Sequence, residues 1–424
     1  MKRKQFIKSA LAGVAAAGFV SGPRSLEAKS AITWPDINTN DESFWKFVRD
    51  QFPLTQERAY FNTGGLGASP YAVIDAVKAK MDELEKISET GHTEQLWKDL
   101  KATGADFFGC GPDELAFMRN ATEGINVVCN GLPLKKGDEI ITSTHEHVAN
   151  AVPWIALQQR EGIVVRFFTP STHSAQENID RIEKLITRRT KLISIPHVTT
   201  TTGQILPIRQ IADLAKRRKA WLFVDGAQSA GMFPFSLHAM GCDAYAACGH
   251  KWLLGPKETG FLYVRKEIQD VLAAKFVGAY SDNGFDFQKG ELKFHPSAQR
   301  YEYGTVSVPL RVGFGAALNF LNRIGMENVW KRDKQLSGYL YEQLSGLSDI
   351  RVLSPAMDSE RSAMITFQHV TIPYLEMQAH LNTYKLRTRG VAEGGVNGLR
   401  ISCHIYNNHE EIDRMVEGLK SLKA

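Results

Sequence analysis

Apolar and polar positions follow two rhythms along this chain. Between residues 69 and 84, Val73, Ile74, Val77, Met81 and Leu84 recur at helical spacing, with Ser69 placed to cap and Pro70 at the first helical position. Short apolar runs then appear at Glu139–Ile141, Ile163–Phe168, Lys191–Ile195 and Trp221–Val224, separated by polar-faced helical stretches such as Ile208–Arg218. Such alternation predicts a mostly parallel sheet buried under helices. After about Ser307 the pattern changes to helices at Leu310–Ile324 and Glu327–Leu347, a strand at Met364–Phe367, a helix at Tyr374–Leu381, a strand at Leu399–His404 and a last helix after Asn408. The expected fold class is therefore α/β, a large domain with a mostly parallel sheet followed by a smaller α+β domain. The boundaries expected are 1–30 for a leader, 31–307 for the large domain and 308–424 for the small one.

Composition narrows the class. The chain has 424 residues, 43% hydrophobic and 23% charged, which is ordinary for a folded globular protein and leaves no room for long disorder. Its net charge of +5 resides in the first 30 residues, where Lys2, Arg3, Lys4, Lys8, Arg24 and Lys29 face Glu27 alone. The remainder is balanced, so nothing marks a nucleic-acid-binding surface. Cys110, Cys129, Cys242, Cys248 and Cys403 are odd in number and contain no CxxC, which signals neither a disulfide framework nor a zinc cluster. The basic residues 2–8 and the short apolar run Ala10–Val20 have the layout of an export signal of twin-arginine type, with Arg3-Lys4 in place of the arginine pair. A periplasmic or otherwise exported location is expected, with no stable membrane insertion after processing, because no other apolar segment reaches spanning length.

The chemistry concentrates around residues 222–252. Leu222-Phe223-Val224-Asp225 reads as a buried strand ending in a carboxylate, and His250-Lys251-Trp252 follows, with Lys251 26 residues after Asp225. In an open α/β sheet, polar groups at the carboxyl ends of strands face the ligand crevice. An aspartate and a lysine there match the needs of pyridoxal phosphate: a lysine to bind its aldehyde, and an acid to keep its ring nitrogen protonated. The His145-Glu146-His147 stretch lacks the HExxH spacing and the cysteine pair of a metal site, so no metal is expected.

With these residues in place, the sequence resembles the class V aminotransferase family of fold-type I pyridoxal phosphate enzymes, including its cysteine desulfurase and isopenicillin N epimerase-like branches. The resemblance runs from about Ala59 to Met415. It implies Lys251 as the cofactor's lysine, Asp225 as partner of the pyridine nitrogen, Gln228 at the phenolic oxygen and His147 stacked on the ring. It assigns Ala121, Thr122 and His250 to cofactor binding, the first two within the phosphate loop Arg119-Asn120-Ala121-Thr122-Glu123-Gly124. A helix starting near Thr122 would present free amides to that phosphate. In Arg300–Thr305, Thr305 would cross a homodimer interface to the neighbour's phosphate. Arg400 would clamp a substrate carboxylate, and Asn62, in Asn62-Thr63-Gly64-Gly65, would lie at the substrate.

Two departures matter. The loop Arg387–Asn397 has no thiol where cysteine desulfurases carry their nucleophile, which argues against a persulfide-forming desulfurase. Cys248, three residues before Lys251, stands where many relatives have a hydroxyl near the phosphate. The expected activity is chemistry at the α-carbon of an amino acid or amino-acid-terminated compound, as an aminotransferase or epimerase. A C–S or other β/γ-lyase, or a non-catalytic binding protein on the same fold, are the alternatives.

Overall fold

The computed structural model describes residues 34–422. The leader expected at 1–30 lies outside the described residues. After a helix at Glu42–Asp50 comes a two-residue strand, Ala59–Tyr60 (β1). Seven strands follow: Leu115–Met118 (β2), Glu139–Ser143 (β3), Val164–Phe168 (β4), Thr190–Pro196 (β5), Trp221–Asp225 (β6), Ala244–Cys248 (β7) and Gly260–Val264 (β8). They form one sheet in the order β2-β8-β7-β6-β5-β3-β4. All pairings are parallel except those of β8, which runs against both β7 and β2.

The chain then makes a hairpin of Asp282–Asp286 (β9) and Glu291–Phe294 (β10) and two long helices, Val308–Ile324 and Met326–Ser345. The remaining strands are Ile350–Val352 (β11), Met364–His369 (β12), Leu386–Arg387 (β13), Arg389–Val391 (β14) and Gly398–Ser402 (β15). Four of these form an antiparallel sheet, β11-β12-β15-β14, while β13 pairs in parallel with β1. Among the described residues, no helix is long and apolar enough to cross a membrane.

The apolar runs become strands because they are covered on both faces: every residue of β3, β7 and β8 is buried. The helix Ala121–Gly131 lays Ile125 and Val128 onto this sheet in a core shared with Phe223, Ala246 and Leu262. A second core joins Leu336, Leu340 and Leu344 to Ile365, Phe367, Ile401 and Met415 around the smaller sheet.

The helix expected after Ser69 needs correction. It spans Tyr71–Ile87 with Pro70 as its cap residue and no side-chain cap. The Ser69 hydroxyl donates instead to the Gly255 carbonyl, 3.0 Å away, across to the loop after Lys251. Its buried stripe is also narrower than expected: Val73 and Leu84 are buried, and Met81 is 47% exposed.

Candidate active site

The parallel strands deliver their carboxyl ends to one side of the sheet, and the site forms there. Central strand β6 ends in Asp225, in register between Pro196 of β5 and Ala246 of β7. β7 ends in Cys248, and the turn after it carries His250 and Lys251. β2 leads into the helix Ala121–Gly131 through Asn120, whose side chain caps the Glu123 amide at 2.9 Å. β3 leads to His147, the cap residue of the helix Val148–Glu161.

These ends enclose a cavity of about 310 Å³ whose walls include Ala121, Thr122, His147, Asp225, Gln228, His250, Lys251 and Arg400. Eight of the ten residues singled out from the sequence therefore meet in one place.

The walls fit pyridoxal phosphate. At one end the N-terminus of an eleven-residue helix presents its first amides, and the Ala121 amide faces the Cys248 sulfur at 3.4 Å. Lys251, 8% exposed, reaches the cavity within electrostatic range of Asp225. Asp225 is 5% exposed and accepts one hydrogen bond, from the Ala227 amide at 2.9 Å. Burial pushes its pKa up, against the pull of that amide and of Lys251. A cationic ring nitrogen is the partner such a carboxylate lacks.

The Gln228 amide is oriented by its neighbours. Trp252 donates its indole N–H to Oε1 at 3.0 Å, and Nε2 donates to the Gly64 carbonyl at 2.8 Å. One N–H remains for the cavity. Gly64 is needed for space: a Cβ there would lie 2.9 Å from both Arg400 Nη2 and Gln228 Oε1.

His147 accepts the Ala149 amide on Nδ1 at 3.2 Å, so a neutral ring carries its proton on Nε2. Burial, joined by the charge of Lys251, lowers its pKa to about 4. Burial and Lys251 act in the same way on His250, also to about 4. Both rings are neutral at pH 7. Arg400 is 1% exposed, with Nη1 held by the Thr200 carbonyl at 2.9 Å and hydroxyl at 3.0 Å, and with no partner at Nε.

Two of the ten do not line this cavity, and for Thr305 the resemblance implied a neighbour's phosphate rather than this one. Thr305 is exposed at a second cavity with Arg119, Glu123 and Tyr303, away from Lys251. Asn62 is not on the wall. It is buried behind Gly65, with its backbone bridged to Ser402 and its Oδ1 unpartnered. Thr200 and Arg389 line the cavity and were missed. Thr200 lies in a run of four threonines with no spacing to distinguish it, and Arg389 lies in the loop read only for its missing thiol.

The Aminotransferase class-V family matches residues 70–415. The chain belongs to that family. Among curated members, a probable cysteine desulfurase of Pyrococcus abyssi is 27% identical over 398 residues, covering 88% of this chain and 96% of that protein. A cysteine desulfurase of Salmonella agona is 30% identical over 397 residues, with the same coverages. Among solved structures, the cystine C–S lyase C-DES is 27% identical with a TM-score of 0.81. It was solved in complex with its product cysteine persulfide, where the match covers 88% of this chain and all of that one. A lysine-to-alanine variant of C-DES carries glycine covalently linked to its PLP cofactor.

These relatives overturn the activity expected from sequence. They are named as cysteine desulfurases and as a C–S lyase, not as aminotransferases or epimerases. The exclusion of desulfurase chemistry on the missing loop thiol falls with it. Lysine, ring partner and carboxylate clamp are common to all these reactions, so the residues recognised in the sequence did not discriminate among them.

Proposed function

We propose that this chain is a class-V enzyme that breaks the Cβ–S bond of a cysteine-type amino acid. Pyridoxal phosphate is the cofactor its cavity serves. Likeness to enzymes of that activity over 88% of the chain supports the reaction. The single observation that carries the choice of reaction is that likeness, while the convergence of Lys251, Asp225 and Arg400 on one buried cavity supports cofactor chemistry at Cα.

When bound, the cofactor supplies a cationic ring that accepts the electron pair left when the Cα–H bond breaks. The residues do the rest. Arg400, rigidly held by Thr200, takes the α-carboxylate as a charge-assisted pair and fixes the orientation of Cα. Lys251 Nζ removes the proton from Cα and holds it inside the cavity. Asp225 keeps the ring nitrogen protonated. His147, neutral and with N–H on Nε2, donates a hydrogen bond toward the departing sulfur, and the proton that sulfur takes up is the one Lys251 removed from Cα. The Cys248 thiol, raised in pKa by burial, stays protonated beside the helix amide.

Twin-arginine export and a homodimer completed by Thr305 belong to the same proposal. Its test is incubation of the cofactor-loaded protein with L-cysteine, L-cystine and S-substituted cysteines. Release of the sulfur as sulfide, persulfide or thiol is expected, together with one pyruvate and one ammonia per Cβ–S bond broken. No sulfur release from any of these, with the cofactor intact, refutes the reaction.

A further inference from the structure

A fully buried ionisable pair stands behind the cavity, and no step at Cα uses it. Asp333, on the helix Met326–Ser345, and His404, two residues beyond β15, are both 0% exposed. His404 Nδ1 lies 3.1 and 2.9 Å from the two Asp333 carboxyl oxygens, and Nε2 lies 3.2 Å from the backbone carbonyl of Trp252. A carbonyl only accepts, so Nε2 carries a proton and donates it. One further proton lies between Nδ1 and the Asp333 carboxyl, because without it lone pairs and an uncompensated charge would face each other in the core. Burial pushes the Asp333 pKa up, against the pull of His404 and Arg332, which agrees with a pair that keeps this proton. Burying such a pair is no more stabilising than packing two apolar side chains in its place, so its presence calls for a reason other than stability.

The reason lies in what its ends hold. His404 follows the strand that carries Arg400, and Trp252 directly follows Lys251. Trp252 is 0% exposed and packs edge-on against the His404 ring at 5.2 Å, while its indole N–H is the donor that orients Gln228. Its carbonyl is walled in by Gly231, which has φ of 92° and where a Cβ would stand 2.6 Å from that oxygen. A carbonyl enclosed in this way needs a protein donor, and His404 supplies it. The strand of the carboxylate clamp and the turn of the proton-carrying lysine are thus joined through one imidazole, in the tautomer that Asp333 imposes.

We propose that Asp333 and His404 are positioning residues for proton removal: by holding the Trp252 carbonyl they fix Lys251 and the Gln228 amide relative to the substrate that Arg400 holds. The inference rests on Lys251 as the proton carrier of the proposed function and is independent of which bond at Cβ breaks afterwards.

The test separates the hydrogen bond from the burial. Asp333→Leu with His404→Phe fills the space and has no donor, whereas Asp333→Leu with His404→Gln fills it and keeps an N–H near the position of Nε2. Two readouts are taken on each full chain. One is amide hydrogen exchange over residues 249–256 without cofactor, where the Leu254 and Gly255 amides donate to the Lys251 and Gly249 carbonyls. The other is exchange of the α-hydrogen of L-alanine with deuterated water by the loaded protein. Without the donor, amide exchange in the turn should rise about tenfold, the scale of one buried carbonyl left unpaired. Exchange at Cα should fall at least about tenfold at saturating alanine, with Kd for alanine within about threefold of wild type because Arg400 keeps its hold on Thr200. The glutamine pair should recover most of both. A phenylalanine pair that folds and keeps the wild-type value in either readout, or a glutamine pair no better than it, overturns the proposal. If the phenylalanine pair does not fold, the ¹⁵N spectrum of the wild-type histidines decides: His404 Nε2 should be protonated and should shift when the cofactor engages Lys251, and a bare Nε2 or an unmoved resonance overturns the proposal. If the variants behave as expected but no cysteine compound releases sulfur, the C–S reading fails while the positioning role stands.

Discussion

Gly67 controls where Lys251 sits, and adding one methyl group to it measures how closely that position matters. Its amide donates to the His250 carbonyl at 2.8 Å, which ties the loop before the first long helix to the turn that carries Lys251. A Cβ at Gly67 would stand 1.9 Å from the Lys251 carbonyl oxygen. Carbon–oxygen contacts are ordinarily about 3.3 Å, so Gly67→Ala must push the two backbone segments apart by about 1.4 Å. Overpacking of this kind costs about 1–3 kcal/mol. With an unfolding entropy of about 0.9 kcal/mol per kelvin for a chain of 424 residues, that lowers Tm by only about 1–3 °C. Misplacing a reacting group by about 1 Å costs roughly a hundredfold in rate, so the loss should fall on turnover rather than on folding. The assay is sulfur release by the loaded variant beside a calorimetric scan. Gly338→Ala serves as control, since that helical glycine has nothing within 4 Å and alanine there should add about 0.5–1 kcal/mol of stability. Turnover by Gly67→Ala within about threefold of wild type would refute the reasoning.

Lys251→Ala should lose the borohydride-fixable attachment of cofactor seen by mass spectrometry, whereas Asp225→Asn should keep it and lose about a hundredfold in turnover, the scale of one preorganised electrostatic contact. Glu139, buried at the start of β3, is held down to about 2 by Arg166 first, then Thr187 and Arg189, from an ordinary 4.5. Its contribution is full above pH 4.5 and fades as pH falls through about 2. Because the arginines are part-exposed it is about 1–2 kcal/mol, and the Tm gap between wild type and Glu139→Gln should narrow on acidification. Light scattering of active protein should give a dimer, and a monomer of full activity would rule out a role for Thr305 in a partner's site.

How much was legible in advance depended on burial. β3, β5 and β6 were found because strands covered on both faces read as continuous apolar runs, and β4, a half-buried edge strand, because it is mostly Val and Phe. β2, β7 and β8 were not: Leu115–Met118 is only four residues, Ala244–Cys248 is largely alanine, which favours no strand, and Gly260–Val264 is a short apolar run that opens on glycine. The Ser69 error came from a hydroxyl with two good bonding options, and tertiary contact with Gly255 won. At the site, Lys251, Asp225 and Arg400 could be named because they stand in ordered motifs. Arg389 becomes visible only when β14 and β15 are paired, a register that connects residues eleven apart across a loop of no distinctive sequence.

The parallel pairing of β1 with β13 has a consequence for biosynthesis. Ala59 finds Leu386 and Asn62 bridges to Ser402, roughly 330 residues away along the chain, so this side of the cavity has its highest contact order. Gly64 hangs from this seam, between Gln228 and Arg400. A ribosome adding about 5–20 residues per second leaves that early segment waiting for tens of seconds before its partner strand emerges. The seven-stranded sheet can form in the meantime, but the carboxylate clamp cannot close. A chain truncated before residue 400 would fold its large sheet around the cofactor's lysine and have nothing with which to hold a substrate.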